Sequence, residues 1–251
     1  TGGLPVLPLE CVDLEVDLCS PLLGARQFRA VLFGARCIIR SDGREQVLWL
    51  SIDDPAWVDP QRQLAPLIPD HGHLMHLFLV RDSGLAAFAH LHPVPRGVAT
   101  FQTSPPPLPA GRYRVYADIV HESGFTQTLV TTLDLAVPPT KWEPSDSDDS
   151  WVVEPQPREG ARATGGDTAL LADGSIMIRK HGARPIRVNQ EASLAFAISA
   201  PDGMPAVLEP YMGMAGHLVL NRDDGTVFVH LHPAGTISLA VGACRDGKAL
   251  R

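Results

Sequence analysis

Two stretches decide how this chain folds. One reads Pro69-Asp70-His71-Gly72-His73-Leu74-Met75-His76-Leu77-Phe78-Leu79-Val80-Arg81-Asp82-Ser83-Gly84 and resumes at Phe88-Ala89-His90-Leu91-His92-Pro93. The other reads Pro210-Tyr211-Met212-Gly213-Met214-Ala215-Gly216-His217-Leu218-Val219-Leu220-Asn221-Arg222-Asp223-Asp224-Gly225 and resumes at Phe228-Val229-His230-Leu231-His232-Pro233. His76 and His217 lie 141 residues apart, as do Arg81 and Arg222, while Phe88 and Phe228 lie 140 apart. The one lost residue falls in the loop, and chance does not keep both flanks in register, so the chain carries an internal duplication. Each copy reads as a β-hairpin: an apolar strand, an Arg-Asp-x-Gly turn, and a second strand that stops at proline.

Alternating apolar and polar residues predict further strands outside the hairpins. In the first half they fall at 12–18, 28–39, 46–52, 112–119 and 128–137. The second half adds 175–179, 193–199, 217–221, 226–232 and 236–241. Short strands separated by Asp-Gly, Ser-Gly and Pro-Ala-Gly turns predict an all-β protein of two tandem antiparallel β-sandwich domains. The first is expected over residues 1–137, with an N-terminal extension, and the second, shorter one over 168–251. Between them, 138–167 carries Pro138, Pro139, Pro144, Pro155 and Pro157 and the acidic run Ser145-Asp146-Ser147-Asp148-Asp149. Lost apolar periodicity there reads as a Pro/Asp-rich linker, and the charge run as a solvated tether. After Pro233 only 18 residues remain. The second sandwich therefore lacks strands, borrows them from the N-terminal segment, or is completed by chain outside this sequence.

Composition narrows the function. Of 251 residues, 22 are Gly and 23 Pro without a period, so turns abound and long helices are excluded. The 45% hydrophobic content suffices for a core. A formal net charge of −7 argues against a nucleic-acid partner, which is held by clustered Lys and Arg. No apolar stretch is long enough to span a bilayer. The chain starts at Thr1 rather than Met, so a removed leader or membrane anchor is an expectation. Cys11 and Cys19 are close enough for a short disulfide loop, whereas Cys37 and Cys244 are far apart. Four cysteines allow three connectivities, and buried free thiols are an equal alternative.

Eight of the ten histidines belong to the two repeats, leaving His121 and His181 outside. On a strand, side chains alternate with period two, so Phe88, His90 and His92 share one face. Pairing about the turn sets His76 opposite His90 or His92, and His217 opposite His230 or His232, with Cβ atoms about 5 Å apart. Three imidazoles thus gather at one end of each hairpin. Neutral, they offer lone pairs that suit Cu, Zn, Ni or Fe. Upstream, His71 and His73 align with Met212 and Met214, an exchange of imidazole for thioether in which Met favours Cu(I). The same residues also have a structural reading, with imidazoles bonding backbone carbonyls and methionines filling core gaps.

Signals for catalysis are missing. The sequence contains no G-x-S-x-G, H-E-x-x-H, phosphate loop or G-x-G-x-x-G. Asp118, His121 and Glu122 follow a predicted strand and offer a carboxylate to a histidine cluster or a strand-end polar group.

The stretches 71–93 and 211–233, together with Leu108-Pro109-Ala110-Gly111-Arg112-Tyr113-Arg114-Val115-Tyr116-Ala117-Asp118, resemble a bacterial group with F-x-H-x-H-P hairpins and a following P-x-G-x-Y-x-x-Y-A-D strand. That group is similar in pattern to exported immunoglobulin-like and cupredoxin-like sandwiches, often found among metal-handling proteins. The resemblance covers roughly residues 45–137 and 190–240. It implies an exported β-sandwich, periplasmic or secreted and anchored to a membrane in a full-length form, and it carries no activity. The N-terminal forty-odd residues and those after Gly242 depart from the pattern. No Cys lies beside either cluster, which argues against a blue-copper electron carrier with its His₂Cys site.

Together these readings lead to a non-enzymatic exported protein that binds a transition metal, copper before zinc. The ligands would be His76, His90 and His92, and His217, His230 and His232, with His71, His73, Met212 and Met214 as additional ones. Two alternatives stay open: an interaction module with structural histidines whose sheet faces or edges serve a protein partner, and a metal-dependent enzyme whose three-His site keeps a position for water.

Overall fold

The computed structural model describes residues 12–16, 33–39, 46–52, 67–82, 86–97, 99–122, 124, 126–153, 168–180, 192–214 and 216–232. Ten strands precede residue 154: β1 (Val12–Val16), β2 (Phe33–Ile39), β3 (Gln46–Ile52), β4 (His76–Arg81), β5 (Ala87–Leu91), β6 (Val94–Pro95), β7 (Thr100–Thr103), β8 (Gly111–Val120), β9 (Thr126–Leu135) and β10 (Ser150–Val153). Five follow: β11 (Thr168–Leu170), β12 (Ile176–Arg179), β13 (Ala192–Ser199), β14 (Leu218–Asn221) and β15 (Phe228–Leu231). The protein is all-β and antiparallel, and no helix among the described residues is long and apolar enough to cross a membrane.

The chain divides into two units. One comprises the described residues of 28–155 together with 221–228; the other comprises those of 1–27, 156–220 and 229–237. In the first, the five-stranded sheet β10-β5-β4-β8-β9 and the four-stranded sheet β2-β3-β7-β6 enclose one core. Leu48, Leu50 and Ile52 of β3 and Phe101 of β7 pack with Leu77 and Leu79 of β4, Ala89 and Leu91 of β5, and Val115 and Ala117 of β8. Alternation explains this: in β4 the odd-numbered residues face that core, while His76, Phe78 and Val80 face away.

The outward face of β4 is buried as well. Phe78 and Tyr116 are fully buried and sit opposite one another in register. Within the same unit, Tyr116 stacks on Phe228 at 4.1 Å and 11°, and its hydroxyl donates to the Gly225 carbonyl at 3.2 Å. Burial, the largest cause, raises the Tyr116 pKa and keeps the phenol a donor.

The other unit contains the sheet β1-β13-β12-β11 and, of the hairpin β14-β15, Leu218–Leu220 and Val229–Leu231. Among its described residues, Leu194 and Leu231 are buried, with Phe196, Leu218, Leu220 and Val229 packed against them. Here the strands depart from the expected boundaries. β1, expected as part of an extension of the first sandwich, pairs antiparallel with β13, from Val12↔Phe196 to Val16↔Ala192. β1 thus adds a strand from the N-terminal segment to the sheet of the second repeat.

The acidic stretch also departs from expectation. Residues 138–153 run along the first unit as a strap rather than as a tether. Trp142 Nε1 donates to the Ser104 carbonyl at 3.0 Å, and Ser145 Oγ accepts from Ser104 N at 3.0 Å. Ser150–Val153 then adds to β5 as an edge strand, Val152 opposite Phe88. Its side chains are largely exposed, so periodicity carried no signal there. β6 and β11 are likewise short and largely exposed, and β7, with Phe101 and Thr103 buried, is only four residues long; none of the three was expected. Cys11, Cys19, Cys244, His181, the turn at 83–85 and the strand expected at 236–241 lie outside the described residues, and so does the disulfide question.

Core burial gives a direct expectation. Leu79→Ala, at a fully buried position, is expected to destabilise the first unit by about 2–5 kcal/mol. Val207→Ala, 92% exposed, is expected to change stability by less than about 0.5 kcal/mol. Urea denaturation followed by tryptophan fluorescence distinguishes them.

Candidate metal centre

Hairpin register settles which histidines meet. Phe78 pairs with His90 and Leu77 with Leu91, so His76 falls at the end of the ladder across from position 92. On its other side His76 pairs with Asp118 of β8. All three imidazoles lie on the face of the sheet that turns away from the main apolar core. They are almost completely buried there: His76 is 2%, His90 3% and His92 2% exposed. Phe78 stacks on the His90 ring at 4.4 Å and 13°, which fixes its plane.

The nitrogens converge. His76 Nδ1 lies 3.1 Å from His90 Nε2, and the ring centroids of His76–His90, His76–His92 and His90–His92 are 5.3, 5.1 and 4.6 Å apart. One nitrogen from each of the three lies within 4.8 Å of the others. Two nitrogens about 3.1 Å apart are both able to sit about 2.0–2.1 Å from one ion, with an angle at the ion of about 95–100°.

Outer partners orient two of the rings. His76 Nε2 donates to the Asp70 carbonyl at 3.1 Å, which leaves its Nδ1 as the lone-pair nitrogen. His92 Nδ1 lies 3.3 Å from Asp149 Oδ1, and both ring nitrogens of His92 are buried without a hydrogen-bond partner among the described residues. A metal-ligating histidine usually directs its second ring nitrogen to a carboxylate or carbonyl, as His76 does to the Asp70 carbonyl and as His92 is placed to do toward Asp149.

The second repeat rebuilds this arrangement in the other unit. His217 Nδ1 lies 3.0 Å from His230 Nε2, and the centroids of His217–His230, His217–His232 and His230–His232 are 5.2, 4.7 and 4.6 Å apart. The interplanar angles match too: 27° against 31° for the first pair, and 83° against 86° for the second. These three are likewise able to hold one ion, and this cluster is less buried than the first.

Before each cluster the chain makes the same turn. Asp70 and His73 exchange both backbone hydrogen bonds at 2.9 Å, and Tyr211 and Met214 do so at 2.9 and 3.0 Å. Both central residues have positive φ, 48° and 87° for His71 and Gly72 and 54° and 76° for Met212 and Gly213. That combination is a type I′ turn. A side chain in the left-handed region costs about 1–2 kcal/mol, so its recurrence at His71 and Met212 marks a backbone held by its surroundings. The turn brings His71 to 6.3 Å and His73 to 5.8 Å from the His76 ring, and His73 to 4.0 Å from His92. In the second copy Tyr211 meets His217 edge-on at 5.3 Å, with Met212 and Met214 in the places of His71 and His73.

Sequence reasoning missed the carboxylates. The strap sets Asp146 Oδ2 3.7 Å from His73 Nδ1 and Asp148 Oδ2 3.4 Å from His73 Nε2. His73, His92 and Asp146 form a further group able to hold an ion. Asp149 is the anchor: its side chain is fully buried and accepts from the backbone N–H of His92 at 2.7 Å, Ser145 at 3.0 Å and Asp146 at 3.1 Å. A signal was available, since Trp142 and Trp151 flank the acidic run and a solvated tether has no use for two indoles. Asp118 shares the His76 face but accepts from Thr128 Oγ1 at 2.5 Å. His121 donates from Nε2 to Gln127 Oε1 at 3.0 Å, and Glu122 is exposed.

Fold and site define a class: an all-β protein of antiparallel sheets whose histidine clusters are able to hold a metal ion. The chain belongs to the family described as a domain of unknown function, DUF8832, matched over residues 42–136 and 172–248, more than half its length. The two matched segments each contain one repeat. No curated protein and no solved structure gives a significant match.

Removing the anchor tests the strap. Asp149→Ala is expected to destabilise the first unit by about 1.5–3 kcal/mol, since three backbone donors lose a charged acceptor. Hydrogen exchange is expected to speed up over 142–153 while the core amides of β8 keep their protection.

Proposed function

We propose that this is a non-enzymatic, exported protein that binds a transition metal, copper in preference to zinc. His76, His90 and His92 hold one ion, and His217, His230 and His232 another. The observation that carries the reading is repetition: two hairpins of different sequence build the same three-imidazole triangle, with N···N separations of 3.1 and 3.0 Å. Packing alone does not require three adjacent imidazoles, which repel on protonation. Imidazole suits copper and zinc, and the methionines in the second turn favour copper. Export rests on the resemblance to exported sandwiches. Burial near a hairpin end suits carriage, buffering or transfer of the ion.

One observation favours a second reading, in which the histidines are structural. His90 Nε2 donating to His76 Nδ1, and His76 Nε2 donating to Asp70, form a continuous hydrogen-bonded chain without an ion.

Metal titration separates the two. Protein purified without chelator is expected to retain metal, and the stripped protein to bind an ion at each cluster when titrated with Cu(II), Cu(I) and Zn(II). His90→Ala/His92→Ala is expected to abolish one site and His230→Ala/His232→Ala the other. An ion at a hundred times its Kd is expected to stabilise by about 2.7 kcal/mol. Unchanged stoichiometry in both variants, with a Tm insensitive to chelator, would establish the structural reading.

A further inference from the structure

The two clusters share a geometry but not a donor set, and the difference is systematic. Their three-imidazole triangles agree to within 0.4 Å in every centroid separation. Their type I′ turns have the same paired hydrogen bonds and positive φ at the same two positions. What changes is what the turn presents. The first turn offers two imidazoles, His71 and His73, preceded by Asp70; the second offers two thioethers, Met212 and Met214, preceded by Tyr211.

Carboxylates add to the contrast. In the first unit the strap brings Asp146 and Asp148 to His73, and the fully buried Asp149 to His92. Both ring nitrogens of His92 are buried without a hydrogen-bond partner among the described residues, and His73, His92 and Asp146 form a group able to hold an ion. Nitrogen donors ringed by negative charge favour an ion of higher charge, because each carboxylate interacts about twice as strongly with a divalent as with a monovalent cation at the same distance. Thioether is a soft donor that selects Cu(I).

We infer that the two repeats have diverged to hold different ions: the His71/His73 copy with its acidic strap takes a divalent ion, Cu(II) or Zn(II), and the Met212/Met214 copy takes Cu(I). This rests on the metal-binding reading and assigns each of its sites an oxidation state. The turn is the selecting element, since the imidazole triangle is common to both.

Exchanging the turns in the full-length chain tests it. Cu(I) affinity is measured anaerobically by competition with bicinchoninate, and Zn(II) and Cu(II) affinities by competition with calibrated chelators. Met212→His/Met214→His is expected to weaken the tightest Cu(I) site by about tenfold or more, about 1.4 kcal/mol, and to tighten divalent binding. His71→Met/His73→Met is expected to create a second tight Cu(I) site. Met212→Leu/Met214→Leu keeps side-chain volume and is expected to lose Cu(I) preference without gaining divalent affinity, which covers a histidine variant that fails to fold. Cu(II) bound to the unaltered protein is expected to give one EPR spectrum, abolished by His76→Ala/His90→Ala. Turn variants that hold both oxidation states as the unaltered protein does would overturn the division and leave metal binding standing. An unaltered protein that binds no ion would overturn both.

Discussion

The antiparallel register of β4 and β5, with Phe78 opposite His90, is the constraint on which the rest of the site depends. A strand has two faces and no third direction, so one choice of register assigns Leu77, Leu79, Ala89 and Leu91 to the apolar core and His76, His90 and His92 to the opposite side. A slip of one residue would exchange them, putting imidazoles among the leucines of the core and leucines in the histidine site. The core therefore enforces the site: the free energy of burying the odd-numbered residues of β4 holds the even-numbered imidazoles together, even though neutral rings gain little from one another and charged rings repel.

Holding three imidazoles in place also requires orientation. Phe78 fixes the plane of His90, the Asp70 carbonyl takes the Nε2 proton of His76, and Asp149 lies against Nδ1 of His92. Each of these partners comes from a different element: strand, turn and strap. The strained turn is the most economical of them, because one reversal of the chain supplies both the Asp70 carbonyl and the His71 and His73 rings. Its left-handed residue is tolerated because reciprocal backbone hydrogen bonds close the turn on both sides.

Much of this was legible locally. Period-two alternation located β3 at its observed bounds and β4, β5, β8, β9 and β13 to within a few residues, and self-comparison identified the duplicated hairpins. Alternation also put His90 and His92 on one face, and pairing about the turn left His76 across from one or the other. The edge strand β10, the short β6 and β7 and the pairing of β1 with β13 were illegible, because their places are set by the partners that receive them rather than by their own pattern. The acidic run was misjudged for a related reason. A charge run looks solvated unless buried donors await it, and one such donor, the amide of His92, lies 57 residues away.

By itself, then, the sequence determined that the chain is β-rich, that one hairpin is present twice, and that eight histidines fall in two matched sets. Tertiary structure decided that the N-terminal strand joins the sheet of the second repeat, that the turns of both copies share a left-handed backbone, and that Asp146, Asp148 and Asp149 close over the first cluster. The division has a physical cause. Which way a side chain points along a strand follows from backbone geometry within a few residues, whereas a buried carboxylate is stable only where distant parts of the chain converge to offer it hydrogen bonds.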